Sequence, residues 1–162
     1  MNEIFANQVG GRQGIIGVII GLLIIYLVMA WVTSDFPHAL IWFLDVDYKL
    51  NILIGVVITF IVGFVAGKSA GRAVLIKNRN AYLSGLGYGF ITLLASVVLS
   101  SLTGFFREGF HNDDGLAEAA YDYIFRPSLR MIIIGIVPAT FAGCWLGFRI
   151  KTRALMFRKT GS

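Results

Sequence analysis

Four uncharged apolar runs, Gly14–Val32, Leu50–Gly67, Ala81–Phe106 and Met131–Phe148, leave this chain little choice of solvent. Each can cross a hydrocarbon core of about 30 Å as a helix rising roughly 1.5 Å per residue. A soluble bundle of this length would need a polar stripe on every helix, and these runs offer almost none. No Asp, Glu, Lys, Arg or His falls inside any of them. Hydrophobic residues make up 57% of the chain and charged residues only 14%, with a mean hydropathy of +0.77. The expected fold is therefore all-α: one integral membrane domain over 1–162, a four-helix transmembrane bundle with spans at about 14–32, 50–67, 81–106 and 131–148.

The cations set an expected orientation. One side collects Arg12, Lys68, Arg72, Lys77, Arg79, Arg149, Lys151, Arg153, Arg158 and Lys159, and the other only Lys49, Arg107, Arg126 and Arg130. The positive-inside bias then places both termini and the loop after Lys68 in the cytoplasm, with a bacterial inner membrane as the expected setting. The sequence pI near 9.6 is explained by an anionic inner leaflet, so the expected partners are membrane lipids and not nucleic acid. The first run is longer than a signal-peptide core and reads as a retained anchor. Cys144 is the single cysteine, which excludes an internal disulfide.

Glycine is the second pattern. Gly55, Thr59, Gly63, Gly67 and Gly71 fall at four-residue steps, and Gly135, Ala139, Gly143 and Gly147 repeat them eighty positions later. Residues four apart share a helix face, so each set forms a groove for a close neighbour. Gly17 and Gly21 align with Gly85 and Gly89 at an offset of sixty-eight. The expectation is two tandem parallel-repeat hairpins, with the extra residues in the second outer loop. Pro138 removes one backbone donor from the fourth span and is expected to kink it.

The outer loops are read as carrying short interfacial helices. Phe36–Leu44 is too short to span and too aromatic to be free in water, and Trp31, Trp42 and Tyr48 flank or join it. Gly115–Phe125 shows an amphipathic face of Leu116, Ala119, Ala120, Tyr123 and Ile124, with Pro127 as its expected end. Glu108, His111 and Asp113 form the one weak metal candidate, since Glu108-x-x-His111 has a carboxylate-bundle spacing but no second copy. No catalytic residue, resident metal or cofactor is otherwise expected.

Gly63–Ser69 approaches a phosphate-binding loop but is one residue short, and Lys68 closes a helix instead of opening one. Lys68, Arg72, Lys77 and Arg79 are instead expected to meet lipid headgroups or a cytoplasmic partner.

The preferred reading is a non-enzymatic structural, anchoring or assembly subunit, associating with other membrane subunits or with itself through glycine faces. One alternative is a small channel or transporter with a path along Thr92, Ser96, Ser100 and the glycine groove. The other is a lipid-modifying enzyme using the outer acidic and histidine cluster.

Overall fold

The computed structural model describes residues 3–33, 49–108 and 115–160. Among these every long element is helical: α1 (Glu3–Thr33), α2 (Lys49–Leu75), α3 (Ala81–Glu108), α4 (Leu116–Ala120), a π-helical turn (Tyr121–Phe125) and α5 (Arg126–Thr160). Four helical stretches are long and apolar enough to cross a membrane, which identifies the chain as an integral membrane protein by length and composition. The Phe36–Leu44 segment lies outside the described residues.

The helices outrun the expected spans. α1 starts at Glu3 and carries Arg12 and Gln13, while α2 continues through Lys68 and Arg72 to Leu75. Gln13 is buried. A Lys or Arg has a stem long enough to reach water from the end of a span, so a charge need not stop the helix.

The second outer segment corrects an expectation. Leu116–Ala120 is no separate helix ended at Pro127, because the chain runs on through the π turn into α5. The Arg126 N–H reaches Tyr121 O, five residues back. That widened turn makes room for the ring of Pro127 next to it, where a regular turn would clash. The face around Ala119 packs on protein, with Ala119 buried and Tyr123 and Ile124 half-buried, although Leu116 stays exposed. α5 likewise continues through Pro138.

α1 with α2 and α3 with α5 form two antiparallel hairpins, which meet along α2–α3 and α1–α5 while α2 and α5 touch across the middle. The core cluster lies at one end and joins all four: Ala6, Ala70, Val74, Leu75, Ala81, Leu146 and Ile150. That end also holds the α2–α3 turn. Asn78 breaks α2 in the left-handed region at φ 49, which Asn tolerates better than most residues. Asn80 then caps α3, its Oδ1 accepting the N–H groups of Tyr82 at 3.0 Å and Leu83 at 3.4 Å.

Candidate functional site

The helices are held by backbone, and the glycines say where. In the first hairpin, a Cβ built on Gly67 would stand 2.5 Å from Gly10 O and 2.7 Å from the Cα of Gly14. One on Gly14 would strike Gly63 O and lie 2.9 Å from the Cα of Gly67, and one on Gly71 would strike Ala6 O. The second hairpin does the same. A Cβ on Gly85 would strike Gly143 O and lie 2.8 Å from the Cα of Gly147, one on Gly89 would lie 2.9 Å from Ala139 O, and one on Gly147 would strike Ala81 O. Lipid tails give helices no hydrophobic reason to associate, so dispersion at such close approach is the main attraction.

These contacts follow a register other than the one the glycine alignment suggested. Ala6, Gly10 and Gly14 sit on Gly71, Gly67 and Gly63 as Ala81, Gly85 and Gly89 sit on Gly147, Gly143 and Ala139. The matching positions are seventy-five apart in α1 and α3 and seventy-six apart in α2 and α5. The offsets of sixty-eight and eighty are slips of about two turns and one turn, which keep a glycine on nearly the same face. In this register the two offsets differ by one, where sixty-eight and eighty had assigned twelve extra residues to the second outer loop.

The remaining candidate glycines have other neighbours. Gly17 and Gly21 face Ala142 of α5 at ordinary distances of 3.9 and 3.8 Å from their built Cβ positions. Gly55 faces Ser100 Oγ at 3.1 Å, and Gly135 receives the side chain of Leu93. Among the described residues, Gly87 and Gly104 meet nothing within 4 Å.

Between the hairpins lies a cavity of about 100 Å³, whose lining includes Gly17, Gly21, Thr59, Thr92, Pro138 and Ala142. Its lining is almost wholly apolar. Thr59 Oγ1 donates to Gly55 O and Thr92 Oγ1 to Tyr88 O, each at 2.8 Å, so both hydroxyls turn to their own helices. Ser96 is buried with its Oγ unpartnered. Of the expected polar path, Thr92 lies on this cavity, whereas Ser96 and Ser100 are not among its lining residues.

The four basic candidates do not act together. Arg72 bonds to α1 through Asn7 Oδ1 at 2.7 Å and Glu3 Oε1 at 3.3 Å. Lys68 lies over the Phe64 ring at 4.2 Å. Lys77 is exposed on the turn. Arg79 instead lines a second cavity with Lys151, a pairing across seventy-two residues that no local pattern announces. Glu108 ends α3, while its side chain, His111 and Asp113 lie outside the described residues.

No protein-family model, curated protein or solved structure matches the chain.

Proposed function

We propose that this chain is a non-enzymatic integral membrane subunit that anchors or assembles a larger complex, or its own oligomer, in a bacterial inner membrane. The observation that carries the reading is Gly87. Most glycines along the spans are occupied by a neighbouring helix of the same chain, whereas Gly87 is open and sits in an exposed ridge with Leu83, Ile91, Leu94 and Val98. Glycine within a helix costs about 0.5–1 kcal/mol relative to Ala, and here no neighbour among the described residues offsets that. A helix from another chain would, by approaching as closely as Gly14 approaches Gly67.

Both hairpins starting and ending at the basic end fit termini in the cytoplasm. The shared contact register and the paired core positions Ala6 with Ala81 and Val74 with Ile150 support a tandem repeat about an axis along the membrane normal. The test is native mass spectrometry from membranes. An oligomer or co-purifying subunit that Gly87→Leu releases supports the reading. A lone monomer in wild type overturns it.

A second reading, a small channel or carrier, is favoured by the cavity between the hairpins. Its apolar lining suits a small uncharged solute better than an ion. Proteoliposome flux blocked by Gly17→Leu supports it, and absence of flux for uncharged solutes counts against it.

A further inference from the structure

The two hairpins end differently at the basic end of the bundle. In the first, Arg72 is held by Glu3 and Asn7. In the second, Arg79 and Lys151 open onto one cavity of about 440 Å³ at the α2–α3 turn. Neither has an acidic partner among the described residues, where Glu3 is the one carboxylate at that end. Two cations sharing a concavity repel, and an anion between them turns that repulsion into attraction.

We propose that this cavity binds a phosphate group, with Arg79 and Lys151 supplying the charge and Asn78, Asn80 and Tyr82 lining the rim. Its size falls within the range of about 300–1,000 Å³ common for small-molecule sites. The rim is fixed before any ligand arrives. Asn78 makes the left-handed turn, the Arg79 N–H returns to Ala73 O at 3.0 Å, and the Asn80 cap orients the start of α3. Arg presents a planar fork that matches phosphate oxygens and Lys a compact point charge, so the pair holds a phosphate between the α2–α3 turn and α5.

The floor is apolar. Val74 and Leu75 belong to the buried core cluster. A ligand with a phosphate above and carbon beneath suits this arrangement, as does a phosphodiester at the headgroup level of a bilayer. Free phosphate shares the same recognition chemistry. The site is independent of the assembly reading and stands whether or not the chain has protein partners.

The experiment uses the full-length chain in nanodiscs of phosphatidylcholine with or without phosphatidylglycerol, and in detergent with inorganic phosphate. Native mass spectrometry counts retained lipid and thermal unfolding reports protection. Wild type retains phosphatidylglycerol over phosphatidylcholine, and Arg79→Gln and Lys151→Gln each lower that retention about tenfold. Lys77→Gln, which removes a nearby charge outside the cavity, leaves it unchanged. Protection by phosphatidylglycerol alone identifies a lipid headgroup, and protection by inorganic phosphate identifies a soluble ligand. Equal losses in all three variants, or no loss in either cavity variant, overturns the proposal, because attraction would then be diffuse.

Discussion

Gly67 and Gly14 meet backbone to backbone, so closely that a methyl on Gly67 would stand 2.7 Å from the Cα of Gly14. The obstacles on the facing helix, Gly10 O and the Gly14 backbone, cannot rotate away as a side chain would. Gly67→Ala therefore requires α1 and α2 to separate. The expected loss is about 1–3 kcal/mol, typical of an overpacked interior. Gly147→Ala should lose as much, because its methyl would strike Ala81 O. Denaturant titration in detergent micelles measures both, and a change near zero at either position would mean that the clasp is not what holds its hairpin.

The opposite outcome is expected where the glycine is open. Gly17→Ala gains ordinary contact with Ala142 at 3.9 Å, beside the cavity, and Gly87→Ala meets nothing. Gly17→Ala should be neutral or stabilise by up to about 1 kcal/mol, through the lower entropy of an unfolded alanine, and Gly87→Ala should do the same wherever the chain is dispersed as a monomer with no second chain on that face. The same titration separates them from the clasped positions. A Gly87→Ala loss comparable with that of Gly67→Ala would reveal a helix from another chain on that face.

Why the register escaped the sequence is plain from these positions. Glycine at every fourth residue announces a face, and Gly63, Gly67, Gly143 and Gly147 do line helix contacts. A face repeats every turn, however, so sequence alone leaves the partner's height open by whole turns. The pairing of Gly10 and Gly14 with Gly67 depends on Ala6, Ala70 and Val74 packing together below, a property of three dimensions. The four spans were legible because about 30 Å of hydrocarbon imposes a length that any apolar run must meet. Pro127 misled because the π turn that relieves it has no simple sequence signature. Arg79 and Lys151 were separable only by the fold, which brings the α2–α3 turn onto the end of α5.

The tie between Arg72 and Glu3 should be modest. Both side chains are more than half exposed, 51% and 62%, so water and salt screen the pair. Glu3→Gln is expected to lower stability by about 0.2–1 kcal/mol at low ionic strength and by less at high salt. A loss that persists unchanged in high salt would assign the effect to the Asn7 side of the tie or to packing instead.

A stronger polar link should lie farther from the basic end, where Ser101 of α3 and Ser128 of α5 share a 2.9 Å hydrogen bond with both residues buried. Water cannot replace a lost partner at such a site, so Ser128→Ala strands the Ser101 hydroxyl. The loss is limited, because a helical serine can turn to the carbonyl four residues behind it. Interhelical hydrogen bonds in membranes average about 0.6 kcal/mol with an upper value near 1.7, and the Ser128→Ala loss should fall between them. A double-mutant cycle with Ser101→Ala isolates the pair, and a coupling of about 0.6 kcal/mol is expected. If the two losses simply add, the hydroxyls are no more than neighbours. The second hairpin would then be closed by its glycine clasp alone.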